Sequence, residues 1–260
     1  MSQRIYSLLL LTYYYHKHSL EAMVDAVWWS LVSLLVFGFM AMYLARGSSE
    51  SEAATILVGF ILWDILRLGQ DSITLTVLRE IWSRNLSNIF TTPLSVKEFF
   101  IAQMIMSGIK TLVVTSIMST IAYYLYGFSI TRLSWGLPFY AVNILLFSWA
   151  AGIFVLGLLF RFGTRLQALV WSLVVVLQPI AGVFYPISIL PNFVQRIALL
   201  FPITYIFEAS RVTFLTGYVD TRAIITAFVL NALYLTLAIW SFATMFRKAK
   251  KTGEFARLEG

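Results

Sequence analysis

Three charged side chains interrupt an apolar run between residues 54 and 77. Asp64, Arg67 and Asp71 follow one another at three- and four-residue spacing, which puts them on one helical face, and Gln70 and Thr74 extend that stripe. Two carboxylates around a guanidinium can neutralise one another, hold the polar part of a ligand, or relay a proton. Which of these applies depends on the medium. Ionised groups in hydrocarbon are costly and face a bundle interior, a wet cavity or each other. Three roles stay open at this point: an ion triplet that fixes helix packing, a contact with a substrate path at a dimer axis, and the coupling site of an ion-driven secondary transporter. The triplet carries one net negative charge, which suits cationic amphiphiles.

Other reactive constellations are missing. His16 and His18 are two residues apart, so on a helix they point to different faces, and no third ligand accompanies them. We expect no metal site. The absence of cysteine excludes disulfides and cysteine-based metal centres. Neither G-x-S-x-G nor H-E-x-x-H occurs, and there is no G-x-x-x-x-G-K-[ST] phosphate loop. The expectation is a chain that is not an enzyme and binds no cofactor of its own.

The elements that carry these residues follow from composition. Of 260 residues, 60% are hydrophobic and 12% charged, and the mean hydropathy is +0.83, whereas a soluble domain holds about 25% charged residues. This is a membrane chain. About 20 mostly apolar residues cross the hydrocarbon core as a helix, and six stretches qualify: 27–45, 54–77, 100–126, 135–160, 166–184 and 223–246. The fold class is all-α, six transmembrane helices in one domain over 1–260. Unbroken apolar runs and the lack of strand-like alternation argue against a barrel.

Residues 1–25 read as an interfacial approach to the first span, with Tyr13, Tyr14 and Tyr15 at headgroup depth, rather than as a cleaved signal. Charge sets the orientation. A cytoplasmic N-terminus puts twelve lysines and arginines inside, among them Arg4, Lys17 and the basic tail 247–260, and leaves Arg46, Arg132, Arg196, Arg211 and Arg222 outside. Both termini are then cytoplasmic. The net charge of +7 needs no nucleic acid, because the "RKAKK" cluster from Arg247 to Lys251 suits anionic lipid headgroups.

Two connections are longer than the rest. The inner one, 78–93, repeats Leu78, Ile81, Trp82, Leu86, Ile89 and Phe90 at helical spacing with Arg84 and Asn85 between them, as an amphipathic surface helix would. Pro93 stops it, and Ser95 with Glu98 forms a capping box for the third span. The outer one, 179–211, is cut by Pro179, Pro186, Pro191 and Pro202 into apolar pieces too short to cross. Such pieces enter and leave on one side, and irregular backbone at that depth survives only inside protein or beside a wet cavity. Elsewhere, Lys110 can snorkel to the inner surface. Asn143, Gln167 and Asn231 suit interhelical hydrogen bonds, and Gly152 and Gly157 suit close helix contact.

In its order of elements, and in "REIWSRNLSNIFTTPLS" (79–95) and "PIAGVFYPISILPNFVQRIALLFPITYIFEASR" (179–211), the chain resembles the permease subunit of type-2 ATP-binding-cassette exporters over nearly its whole length. The resemblance implies a permease dimer, expected to be a homodimer, over two copies of a separate ATPase that binds ATP and Mg. It places Arg84, Asn85, Leu86, Ile89 and Phe90 in a coupling helix seated on that ATPase. It also implies an outer gate from Phe184, Tyr185, Pro186, Glu208 and Arg211, the last two as an ion pair. The cargo it implies is a hydrophobic or amphipathic small molecule, a drug or lipid, exported across a bacterial or archaeal inner membrane. A lipid-linked polysaccharide is the alternative.

Overall fold

The computed structural model describes residues 2–18, 20–47, 50–83 and 95–252. Among them the chain forms nine α-helices and no strand: α1 (Ser2–His18), α2 (Leu20–Ala45), α3 (Glu50–Trp82), α4 (Val96–Tyr126), α5 (Gly136–Phe162), α6 (Leu169–Ile180), α7 (Asn192–Ala198), α8 (Pro202–Thr216) and α9 (Thr221–Thr252). Five of these helices contain stretches long and apolar enough to cross a membrane: Val27–Ala45, Ala53–Trp82, Val96–Tyr126, Gly136–Leu166 and Thr221–Lys251. The bent pair α7 and α8, folded by 101° at its break, makes a sixth if it is counted as one span.

The centre of the bundle is α3, which packs against α2, α4, α5, α6 and α8. Its apolar residues divide into two groups. Ile56 to Leu68 join a cluster with α2, α8 and the first half of α5, whereas Ile73 to Ile81 join a second with α9 and the second half of α5. Between Leu68 and Ile73 lie Gly69, Gln70 and Asp71, so a polar level crosses the bundle between two apolar ones. Small residues let the helices close there. A Cβ on Gly69 would collide with the Ser148 hydroxyl of α5, and a Cβ on Gly152 of α5 would meet the Ile73 side chain at 3.1 Å. Farther along, a Cβ on Gly157 would meet the Phe242 backbone of α9 at 3.2 Å, so this glycine allows the close contact expected of small residues in membrane helices.

The first candidate span, Val27–Ala45, lies where the sequence put it, whereas boundaries differ from the expectation at two other places. α3 runs unbroken to Trp82. Leu78 and Ile81, expected at the start of the amphipathic surface helix, are buried in the second apolar cluster, where burial outweighs the helix period they share with later residues. The fifth span is the largest departure. α6 has 12 residues, about 18 Å at 1.5 Å per residue, too short for a crossing of about 30 Å. A 3-10 turn over Gly163–Leu166 shortens its start, Pro179 sits in its last turn, and Gly182, at φ +67°, turns the chain back.

The returning chain packs closely on α3. Gly59 of α3 lies so near the Val183 carbonyl that a Cβ would overlap it, while a Cβ on Gly108 of α4 would meet no other part of the structure within 4 Å. Gly59→Ala should therefore destabilise the folded chain by about 1–3 kcal/mol, and Gly108→Ala should be near neutral. Thermal unfolding of both variants in the same detergent checks the contrast; equal shifts would show that the Gly59 contact carries no weight.

Candidate functional site

The stripe on α3 forms a connected ion cluster. Arg67 donates to Asp64 Oδ1 from Nε at 3.0 Å and from Nη2 at 2.7 Å, and to Asp71 Oδ2 from Nη1 at 3.3 Å. Its Nη2 also donates to the Ser30 hydroxyl of α2 at 2.8 Å. A single guanidinium thus neutralises charge along α3 and fastens α2 to it. The planar fork of arginine makes this possible, since it offers several donors in fixed directions. Asp64 and Asp71 side chains are 4% and 14% exposed and that of Arg67 27%, so the cluster opens outward at the arginine.

The two polar neighbours tie in other helices. Gln70 Nε2 donates to the Val170 carbonyl of α6 at 2.6 Å and to Thr74 Oγ1 at 3.2 Å. Thr74 returns its hydroxyl to the Gln70 carbonyl at 3.0 Å. On the α4 side, Ser107 donates to the Gly69 carbonyl at 3.2 Å and accepts from Trp149 Nε1 of α5 at 3.1 Å. Asn231 of α9 donates to both oxygens of Asn143 at 2.9 and 3.0 Å, an interhelical bond of the kind expected of each of these amides. Gln167 lies in the turn before α6, outside the helices. On the α3 stripe itself, Asp64 Oδ2 and Gln70 Oε1 are buried and accept no hydrogen bond among the described residues.

A cavity of about 280 Å³ lies against this stripe. Arg67, Gln70 and Asp71 line it together with Trp63, with Trp29 of α2, Lys110 of α4 and Trp171 of α6. Three indoles and several charged or amide groups around one space can take a molecule with a flat apolar body and a polar end. Trp29 and Trp171, which face this space, could not be told from interfacial aromatics in the sequence, and nothing in the sequence marked Ser30 as the partner of Arg67. Only the packing of α2 and α6 on α3 brings them to the stripe. A second cavity of about 810 Å³ sits where α2 ends and α3 begins, lined by Arg46, Tyr126, Arg132 and Phe214 among others; helix ends far apart in sequence build it.

The residues assigned to an outer gate converge on one knot. Glu208 Oε1 accepts from Arg211 Nη1 at 2.8 Å and from the Ile187 backbone at 2.9 Å, while Arg211 Nη2 donates to the Gly182 carbonyl at 2.7 Å. The pair on α8 therefore holds both ends of the turn between α6 and α7. Pro186 begins the short 3-10 turn Ile187–Ile189. The Tyr185 hydroxyl donates to the Pro179 carbonyl at 2.8 Å, and Phe184 stacks on Phe37 of α2 with centroids 4.3 Å apart. The residues assigned to ATPase coupling, Arg84, Asn85, Leu86, Ile89 and Phe90, lie outside the described residues. The segment that follows them is anchored: Ser95 and Glu98 form the expected capping box, and Arg4 of α1 approaches Glu98 at 3.8 Å.

Removing Arg67 would leave two buried carboxylates without their shared cation. Losing one partner of a buried pair costs about 3–5 kcal/mol, and less here because Arg67 is partly exposed. Arg67→Gln should lower the monodisperse yield on size exclusion more than Asp71→Asn does, since Asp71→Asn leaves the shorter Asp64 pair intact. The reverse order would mean that Asp71, not Arg67, organises the cluster.

Comparison with known proteins places this architecture. A family model described as ABC-2 type transporter matches residues 6–215. No individual curated protein matches the chain.

Proposed function

The chain belongs to the ABC-2 type transporter family, the membrane subunits of ABC transporters that work with an ATP-binding partner, and from that premise we propose that it is an exporter permease for a hydrophobic or amphipathic small molecule, a drug or a lipid. The observation that carries this reading is the cavity of about 280 Å³ in which Trp29, Trp63 and Trp171 meet Arg67 and Asp71. Its lining is apolar and flat on some sides and charged on others, which matches an amphiphile better than an ion or a fully polar solute.

In this reading two permease copies, each with a separate ATPase chain, form the path in an inner membrane with both termini cytoplasmic. ATP and Mg bind on the ATPases. Residues 84–90 pass the ATPase movement to α3 and α4, because both helices begin or end at that segment and a displacement there tilts them together. The Glu208–Arg211 knot acts as the outer gate. Residues 179–211 form the outer re-entrant arm and 247–260 a basic cytoplasmic tail. A second reading, export of a lipid-linked polysaccharide, draws on the two unused acceptors, Asp64 Oδ2 and Gln70 Oε1, which sugar hydroxyls could satisfy while rings stack on indole. Ion-coupled transport rests on the triplet alone and has no other support.

Two measurements test the proposal. In proteoliposomes holding the chain and its ATPase, Asp64→Asn and Asp71→Asn should reduce export of a hydrophobic dye more than they reduce the amount of folded protein; proportional losses would return the stripe to a packing role. Asn85→Pro or Phe90→Ala should leave ATP hydrolysis running while export stops. If both variants exported at the parent rate, the coupling assignment would fail.

A further inference from the structure

The cavity of about 810 Å³ at the far end of α2 has no part in the proposed cargo path. It lies where α2 ends, α3 begins and α4 hands over to the 3-10 turn Ile130–Leu133, and Phe214 of α8 closes one side. Small residues leave the space. Gly38, Ala41 and Ala45 follow one another along a single face of α2, and Ala53 and Ala54 stand on the first turns of α3. At the inner end the Tyr126 ring lies so close over Gly38 that a Cβ there would overlap it. Leu57 and Phe128, 2% and 4% exposed, belong to the apolar core and give the cavity a floor that water gains little by wetting.

Two arginines share this space, Arg46 from the end of α2 and Arg132 from the 3-10 turn, and no carboxylate lines it among the described residues. The Arg132 guanidinium lies over the Phe214 ring at 5.6 Å, and that ring stacks on Phe128 with centroids 5.5 Å apart. Stacking occupies the face of the guanidinium and leaves its edge donors pointing away from the ring. Among the described residues neither Arg46 nor Arg132 makes an ion pair. Two charges of one sign beside a low-dielectric floor focus the field and raise the local concentration of anions. An inorganic anion would meet the arginines and leave most of the volume and the apolar floor unused. A neutral amphiphile would fill the floor and leave the arginines unused. An amphiphile with an oxyanion head uses both.

We propose that this cavity binds an anionic amphiphile, its phosphate or carboxylate head between Arg46 and Arg132 and its apolar part on Ala53, Leu57 and Phe128. Guanidinium forks suit either oxyanion, since both offer paired oxygens. The site shares no residue with the tryptophan cavity, so it stands whatever the cargo is.

The chain has no cysteine, so Ser129→Cys places a sole thiol in the cavity lining. Its maleimide labelling is followed in a neutral detergent as dodecyl phosphate is added to the full chain. Dodecyl phosphate should slow the labelling, and the double variant Arg46→Gln, Arg132→Gln should raise the half-protecting concentration about tenfold or more, as expected when charged hydrogen bonds are lost. Ala45→Trp keeps both charges and fills the space, and it should also abolish protection. Arg222→Gln, an exposed cation outside the cavity, should leave protection unchanged, and a thiol at Ser188, in an exposed turn outside the cavity, should label at one rate throughout. Full protection in both the double variant and Ala45→Trp, or equal slowing at Ser188, would overturn the site. Inorganic phosphate should protect only weakly; protection equal to that by dodecyl phosphate would mean a free anion site and defeat the amphiphile. The sequence also puts Glu50 and Glu52 at the start of α3. Glu50→Gln with Glu52→Gln should leave the half-protecting concentration near that of the parent, and a large gain in affinity would mean that these carboxylates already hold the arginines, which also defeats the proposal.

Discussion

Charge in the middle of a membrane bundle has to be compensated where it stands, and Arg67 is how this chain does it. The guanidinium reaches Asp64 and Asp71 along α3 and Ser30 across to α2. Without lipid-facing water to solvate the carboxylates, those bonds decide which way the stripe points and which helix covers it. The rest of the bundle accommodates that decision. Apolar clusters form on either side of the polar level, and Gly69 and Gly152 bring α5 close enough for Ser148 and Ile73 to close it.

The segment from α6 to α8 depends on the same central helix. α6 is held to α3 by the Gln70 bond to the Val170 carbonyl at one end and by the Gly59 contact with the Val183 carbonyl beyond the other. Its turn is fixed from α8 by Glu208 and Arg211. Backbone that neither completes a span nor reaches water needs such donors, because a carbonyl left bare in an apolar surrounding costs several kcal/mol by transfer measures, roughly 2–7. Arg211 supplies one to Gly182 and Glu208 accepts from Ile187, so the same ion pair that looks like a gate also satisfies the irregular chain.

Cavities lie on both sides of the stripe. One is walled by tryptophans and lies beside α2 and α6; the other, of about 300 Å³, opens between α3 and α4. Asp71, Leu75 and Lys110 line both, so whatever occupies one side shapes the electrostatics of the other in a medium where charges are weakly screened.

Much of this was legible in the sequence, and for a physical reason: periodicity and hydropathy are local properties. The ion triplet, the capping box at Ser95 and Glu98, the pairing of Glu208 with Arg211 and the apolar character of the spans all follow from residues within one or two helical turns of each other. That Asn143 and Asn231 would bond across helices was also expected, because an amide in an apolar helix needs a partner wherever it lies, but not that they would bond each other. Helix ends and the faces of neighbouring helices were not legible. Leu78 and Ile81 share the period of a surface helix yet are buried, and the apolar stretch 166–184 is long enough to cross yet folds back after 12 helical residues. Nor did any local pattern mark Ser30 as the partner of Arg67, or bring Trp29 and Trp171 to one cavity. The sequence alone determined which segments leave water and which polar groups travel with them, since transfer free energy adds residue by residue. Only the tertiary structure decided which side chains meet across helices, because that depends on packing between segments far apart in the chain.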